Sequence, residues 1–568
     1  MDKTPTYRDA LILCVFVVLI TLQPYYLHDD IIMMETGIHL PGINAVFHGA
    51  VPYRDFFFLR GPLELYVPAF LMLLFGKNLA VLPTFYYLGT VLTLLLLVLL
   101  AKQFYRVRLI FYLMVPVLVG RTFPRISYNY WGGMRYFISL LSVLFLVIFL
   151  KKQRLNWIFW TGIISGLALL TTIEAGFCSV VTVGCVLVFS FIFNIQDRRF
   201  LLKSAVFYSI GILGVVIPFL IYLIMTQSLR PILESIYTVV TNLYIVFPNT
   251  DNLPLRSVSE FLSYLLPTSR YFKVVTPIFC YLFLTGYFIL KMRKKALNRE
   301  LLCVLSVAVY GMILYLSSFR RIEGNHFEMA LQPEKILLFF LIQEAYLFLK
   351  GFKARIYSGI KAFPKTLTAR KDLAKIYLIN FLFVALVISS VTYSVARYNR
   401  RFISFELAKC WLLKKELSPK LRPLEGMNPK PLNTERAYGL VLPGEQADEI
   451  TEVVRFIQAN TKPDEIVFTY AELGTYNFIF DRPFVGRFPV ATASWLSPRW
   501  HRELMEDLKK AKPRFVVMTN IGDKSFPEKW YFQNKDNVDH FKETTVYILN
   551  NYMLVESVGS VGIYRLKS

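Results

Sequence analysis

Apolar runs long enough to cross a bilayer recur at about 10–27, 79–101, 157–173, 176–193, 204–226, 272–290, 300–318, 333–350 and 376–396. A spanning helix needs about 20 largely apolar residues, which each of these runs approaches or supplies. Two shorter runs, 109–120 and 136–150, are weaker candidates that enter as a pair. Leu63–Phe75 is also apolar, but it is short, follows Gly61, opens beside Pro62 and carries Glu64 and Pro68. Basic clusters lie between the runs: Lys102/Arg106/Arg108, Lys151/Lys152/Arg154, Arg198/Arg199/Lys203, Lys291 to Arg299, and Lys350 to Lys375. If all of them are cytoplasmic, the chain crosses once between its first polar loop and Lys102. Leu63–Phe75 is therefore expected to lie on the outer face. The pattern predicts a polytopic α-helical membrane protein of about 11 spans, N-terminus cytoplasmic and C-terminus outside.

From about 440 the pattern becomes that of a water-facing domain. Helical periodicity covers Glu445–Asn460, Arg502–Ala511 and the region near Val538–Asn550; strands are expected at Glu465–Thr469, Arg514–Thr519, Met553–Ser557 and Gly562–Leu566. Helices alternating with strands predict a small α/β layer. The expected organisation is a membrane domain over 1–398 with a first outer loop at 28–78, a Lys- and Pro-rich tether over 399–439, and an extracytoplasmic α/β domain over 440–568.

Composition agrees: 55% hydrophobic and 18% charged residues, with a mean hydropathy of +0.47, mark an integral membrane protein, expected in the plasma (inner) membrane. The net charge of +24 sits in the short clusters that set topology, so nucleic acid is not an expected partner. Five of the six cysteines fall in apolar runs and none form a CxxC pair, which argues against a disulfide framework or zinc knuckle. The N-terminal run lacks a small-residue cleavage site and reads as a retained span. There is no P-loop, GxSxG, HExxH or dinucleotide fingerprint. Energy for any synthesis must arrive with an activated substrate from the membrane.

The ionisable groups of interest collect on the expected outer face. In the first loop, Asp29, Asp30 and Glu35 offer carboxylates, His28, His39 and His48 imidazoles, and Arg54 and Arg60 cations. A carboxylate at a membrane surface can act as general base toward a hydroxyl or amine. Glu35 and His39 are four apart, which on a helix suits a metal pair or a hydrogen-bonded dyad; an amphipathic surface helix with its acids in water explains the same pattern. Arg121, Arg125 and Arg135 interleave with Tyr128, Tyr130 and Trp131. These read as a phosphate site or as an aromatic belt with snorkelling arginines. Arg320, Arg321, Glu323 and His326 again suit an anionic ligand. Glu174, between two spans with almost no loop, is a cavity wall or a water-exposed tip; Tyr237, Asn242 and Tyr244 are weaker candidates.

The run Glu35-x-Gly37, Gly49-Ala-Val-Pro52-Tyr53-Arg54-Asp55, Gly61-Pro62-Leu63 and Leu74-Phe75-Gly76 resembles the first outer loop of polyprenyl-phosphate-sugar-dependent glycosyltransferases. These form the GT-C superfamily, which includes protein O-mannosyltransferases and the aminoarabinose transferases of lipid A. The specific match covers about 28–76 and, loosely, Arg321-x4-His326. The resemblance implies many spans, an exported C-terminal domain, a first-loop acid as catalytic base and inversion at the sugar. Its acid falls on Glu35, but many members carry Asp followed by Glu there. This chain has Glu35-Thr36 and a separate Asp29-Asp30, so the base is Glu35 or Asp30.

The sequence thus points to a glycosyltransferase working from a lipid-linked sugar donor, with a glycan, lipid or protein acceptor and membrane lipid as partners. Glu35 or Asp30 is the expected base and Asp55 the orienter of the loop. Arg60, Arg121, Arg125 and Arg321 are candidate phosphate partners, with Glu174 and His326 also in the substrate site. No cofactor is indicated, and a divalent metal stays open. The alternatives are a transporter or flippase of a lipid-linked saccharide, and a non-catalytic membrane receptor. The near absence of charge inside the spans favours the enzyme.

Overall fold

The computed structural model describes residues 4–22, 27, 28, 31, 33–58, 60–122, 133–242, 257–264, 271–318, 325–362, 426–489, 496–520 and 535–568, with a few positions between 381 and 424. Among them, six helices are long and apolar enough to cross a membrane: Val81–Lys102, Met134–Lys152, Ile173–Ile192, Arg198–Met225, Val274–Arg293 and Arg299–Ser317. The weak run 136–150 is therefore part of a full-length span. The helices Tyr7–Thr21 and Leu155–Thr171 are shorter, and the expected span 376–396 falls mainly outside the described residues. The protein is a polytopic helical membrane protein, with fewer full-length spans on display than the sequence suggested.

One apolar core ties the bundle together, from Leu13 and Val17 through Leu97, Phe111, Val147, Val183 and Val307 to Leu337. The opposite faces are apolar and uncovered, as a surface turned to lipid must be: Leu220, Ile221, Ile224 and Met225 at the end of Arg198–Met225 are all exposed. Leu63–Phe75 has 13 residues, a rise of about 20 Å that falls short of the hydrocarbon core. It buries Glu64, Leu65, Pro68, Ala69 and Met72 on one helical face and exposes Phe70, Leu73, Leu74 and Phe75.

The C-terminal region is a three-layer α/β sandwich. Strands β1 (Lys430–Pro431) and β2 (Val441–Leu442) make a short antiparallel ladder. Strands β3 (Val467–Tyr470), β4 (Phe515–Thr519), β5 (Tyr552–Val558) and β6 (Val561–Leu566) form one sheet in the order β3-β4-β6-β5, with β3 and β4 parallel. Alternate residues face opposite ways along a strand, and both faces of the central strands are buried. Val467, Phe515, Val517 and Ile563 join a core with helix Gly444–Asn460, while Phe468, Val516, Met518 and Tyr564 join a second core with helix Pro498–Ala511. That helix begins four residues before the expected Arg502, because Ser497 caps it by accepting from the Trp500 N–H and Pro498 stands in its first turn.

The first of those cores also contains the first loop, residues 28–78. Ile31, Ile38, Leu40, Ile43, Tyr53, Phe56 and Phe58 are continuous with Leu432, Ala437, Leu440, Ile450, Tyr476 and Phe478. Polar contacts follow the same seam. Gln446 pairs with both the N–H and C=O of Ile31, the Val441 N–H donates to the Leu27 carbonyl, and buried Arg436 donates to Asn44 (2.6 Å) while pairing with Asp481. Loop and sandwich are thus one packed unit.

Candidate active site

Gly61 is where the first loop meets the bundle. Its N–H donates to the Thr171 carbonyl at 2.8 Å, at the end of helix Leu155–Thr171. A Cβ at Gly61 would lie 2.2 Å from the Leu170 carbonyl oxygen, so only glycine lets the loop dock this closely. Pro62 then caps helix Leu63–Phe75. The two constraints fix where Arg60 and Glu64 stand, four residues apart.

His39 approaches from the other side. Helix Met33–Gly37 ends at Gly37, and Pro41 stands in the first turn of the next helix, Leu40–Phe47. His39 is the N-cap of that second helix. Glu35 and His39 therefore do not share one continuous helical face, because the break at Ile38–His39 reorients the chain between them. His39 is buried at 1% exposure, with the Tyr86 hydroxyl 2.9 Å from its Nε2 and the Phe58 ring edge-on at 5.6 Å.

Arg60 joins the two. Its Nη1 donates to His39 Nε2 at 3.4 Å and to Glu64 Oε2 at 3.3 Å, and its carbonyl accepts from the Tyr53 hydroxyl at 2.8 Å. Glu64 is 1% exposed. Arg135, buried in the first turn of helix Gly133–Lys152, lies within electrostatic reach of Glu64, Glu174 and Tyr86.

Burial drives the His39 pKa down to about 4, against the pull of Glu64 and with the help of Arg60 and Arg135. Burial alone would raise the Glu64 carboxyl, but His39, Arg60 and Arg135 outweigh it and hold that group below the usual carboxylate range. At neutral pH the cluster is a neutral imidazole and a carboxylate between two guanidinium groups. Its net charge is positive, and it sits where the loop roots in the bundle. Such a place suits an anion whose other end lies in lipid.

The remaining expected site residues are distributed around this cluster. Glu35 lies within helix Met33–Gly37, with its side chain outside the described residues. Its neighbours are fixed from the sandwich: the Thr475 hydroxyl donates to the Met33 carbonyl at 2.6 Å and meets the Thr36 hydroxyl at 2.6 Å. Asp30 is outside the described residues, one position before the Ile31–Gln446 pairing. Asp55 is half-exposed, accepting from the Val51 N–H and from two nitrogens of Arg54. Arg121 ends helix Arg108–Thr122 with its side chain outside the described residues, as is that of His326 in helix Asn325–Ala330; Arg125 and Arg321 are outside altogether. Glu174 is exposed in the first turn of Ile173–Ile192, capped by Thr172, and interacts electrostatically with Arg135 and Tyr136.

The structure therefore brings Arg60 and Glu174 to one region through Arg135. It also adds Glu64 and Tyr86, which the sequence reading passed over. Glu64 had registered only as an interruption of an apolar run, although its place four residues after Arg60 was a legible sign of a pair. Among the described residues, no three His, Cys, Asp or Glu side chains form a metal-binding group.

Helical bundle, rooted outer loop and α/β sandwich together define an integral membrane protein with a buried ionic site at the loop–bundle junction. Among solved structures, the chain is similar to ArnT from Cupriavidus metallidurans bound to undecaprenyl phosphate: TM-score 0.50, 12% identity, 98% of this chain and 97% of that one covered. The apo state of the same protein aligns at TM-score 0.45 and 12% identity, over 98% and 96%. The first of these likenesses is one of fold: the chain folds as the undecaprenyl-phosphate-bound ArnT does over nearly its whole length. No protein-family model and no curated protein matches the sequence.

Proposed function

We propose that this protein is a membrane glycosyltransferase that moves a sugar from a polyprenyl-phosphate donor to an acceptor at the extracytoplasmic face, with inversion. The observation that carries the reading is the Arg60 site. A guanidinium is held at the root of the first loop by His39 and Glu64, and in this reading it meets the phosphate of the lipid donor. The ArnT structure of like fold holds undecaprenyl phosphate, a ligand of the chemistry proposed here.

In this reading Glu35 or Asp30 takes the proton of the acceptor hydroxyl or amine as that atom attacks the anomeric carbon. The bond from that carbon to the phosphate oxygen breaks, and the phosphate leaves on its lipid. Arg60, with Arg121, Arg125 and Arg321 as further candidates, balances the charge on the departing phosphate. Glu174 and His326 line the substrate site, and Asp55 orders the loop through Arg54 and the Val51 N–H. The membrane domain (1–398) shelters the lipid tail, 399–439 connects, and the sandwich (440–568) selects the acceptor on the outer side.

The test is transfer from a radiolabelled polyprenyl-phosphate sugar in membranes, comparing wild type with Glu35→Gln and Asp30→Asn. One variant is expected to lose at least about 100-fold in rate, the scale of a general base. Full activity in both, with protein present at wild-type level, would sink the assignment of the base.

A further inference from the structure

Glu64 is a buried carboxylate with an unusual set of partners. Oε2 accepts from Arg60 Nη1 at 3.3 Å and lies 3.8 Å from His39 Nε2. Oε1 is fully buried and has no hydrogen-bond partner among the described residues. A carboxylate withdrawn from water and left half-satisfied is costly, and it persists only where its charge or geometry is used. Use as a base is disfavoured: the group is walled off from solvent, and two cations together with His39 keep it ionised.

What the geometry offers is a hold on Arg60. The backbone of that residue is fixed by Tyr53 on its carbonyl and by the docking of Gly61 onto Thr171. Its head is fixed through Nη1 alone, by Glu64 and His39 together; among the described residues Nε and Nη2 have no partner. A guanidinium grips phosphate through two N–H groups on one edge. Anchored at Nη1 from within the protein, Arg60 keeps the Nε/Nη2 edge available.

We propose that Glu64 is a positioning residue for the lipid-phosphate donor: it clamps Nη1 of Arg60 so that the Nε/Nη2 edge is presented to the phosphate. The proposal rests on the transferase reading for its catalytic meaning, while the binding it describes is measurable without turnover.

The experiment uses the full chain in detergent or nanodiscs, with Glu64→Ala, Glu64→Gln, Arg60→Ala and the double variant Glu64→Ala/Arg60→Ala. Direct binding of a polyprenyl phosphate lacking sugar is measured first, then donor kcat/KM and acceptor KM. Glu64→Ala is expected to weaken polyprenyl-phosphate binding and donor kcat/KM by about 10-fold or more, with acceptor KM within about twofold. Glu64→Gln keeps an acceptor oxygen for Nη1 and should recover to within about threefold of wild type. In the Arg60→Ala background, Glu64→Ala should have no further effect, because what it positions is gone. Additive losses, or a Glu64→Ala protein that binds like wild type, would overturn the proposal. Should Glu64→Ala fail to fold, judged by its melting profile, the near-isosteric Glu64→Met, which fills the space but offers Nη1 no acceptor oxygen, carries the same comparison alone and in the Arg60→Ala background, with the same expected loss. Wild-type protein that binds polyprenyl phosphate but transfers no sugar would refute the transferase reading and leave the clamp standing. Wild-type protein that does not bind polyprenyl phosphate would refute the clamp.

Discussion

The hydroxyls of Thr36 and Thr475 meet at 2.6 Å across 439 positions of sequence. Through this contact, and the bond from Thr475 to the Met33 carbonyl, the α/β sandwich holds the short helix that carries Glu35. Replacing Thr475 by Val removes both bonds and should cost about 1–3 kcal/mol, since two hydrogen bonds across a buried seam are lost. The expected outcome is a lower melting temperature and a fall in transfer rate, with the protein still inserted in the membrane.

A larger cut has a larger consequence. Because the first loop shares a core with Ile450, Tyr476 and Phe478, a chain ending before 440 loses much of the packing of Ile38, Leu40, Ile43 and Phe56. Truncation is expected to abolish transfer and to make residues 33–58 sensitive to added protease. A truncated protein with normal transfer and a protease-resistant loop would contradict the shared core.

Gly61→Ala should act at the root of the site. The added methyl would fall 2.2 Å from the Leu170 carbonyl oxygen, a backbone atom with little room to yield. Loop and helix must separate, at a cost of about 1–3 kcal/mol or more, and Arg60 and Glu64 move with the loop. Transfer should fall at least about 10-fold, with a lower melting temperature to match.

Acid should loosen the same site. His39 has its pKa depressed from 6.5 to about 4 by burial, so the unfolded chain binds the extra proton more readily. The stability this neutral imidazole represents is complete above about pH 6.5 and is lost as pH falls through 4; its size is about 3 kcal/mol. Glu64, held low, acts in the same sense as pH falls toward the carboxylate range. Melting temperatures measured from pH 7 to pH 5 should fall in wild type and fall less in His39→Gln.

Arg487 ties three parts of the molecule. It forms two hydrogen bonds to Glu503, reaches Glu234 of helix Leu229–Thr241 at 3.8 Å, stacks on Trp500, and lends its carbonyl to the Phe57 N–H of the first loop. Arg487→Ala is expected to cost about 2 kcal/mol through the lost bidentate pair and ring contact. Glu234→Gln should cost under about 1 kcal/mol, since its nearer partner Arg499, at 3.2 Å, is exposed and Arg487, at 3.8 Å, keeps both of its bonds to Glu503. Melting profiles of the two variants, measured together, check that order.

The hydrophobic pattern alone determined that this is a multispanning membrane protein with a C-terminal α/β layer, because a 20-residue apolar run and an alternating strand are local properties. The same holds for Leu63–Phe75, whose 13 residues and buried Pro68 and Glu64 set it apart from a span. The resemblance of the first loop pointed to the fold, but the reason one of its residues must be glycine is not local: Gly61 packs against the Leu170 carbonyl of a distant helix. Which side chains converge was not local. Glu64 gains its meaning from His39, 25 positions earlier in the chain, and from Arg135, which arrives on another helix. Glu35 and His39 looked like a pair at helical spacing, but the helix ends at Gly37 and His39 is already the N-cap of the next one. Nothing in the string announced that Thr475 would reach Thr36, since a threonine records its partner only once the sandwich is folded against the loop. Periodicity fixes which face of an element is buried; only the assembled tertiary structure decides which buried polar groups end within hydrogen-bond reach, because that depends on ångström-scale packing summed over the whole chain.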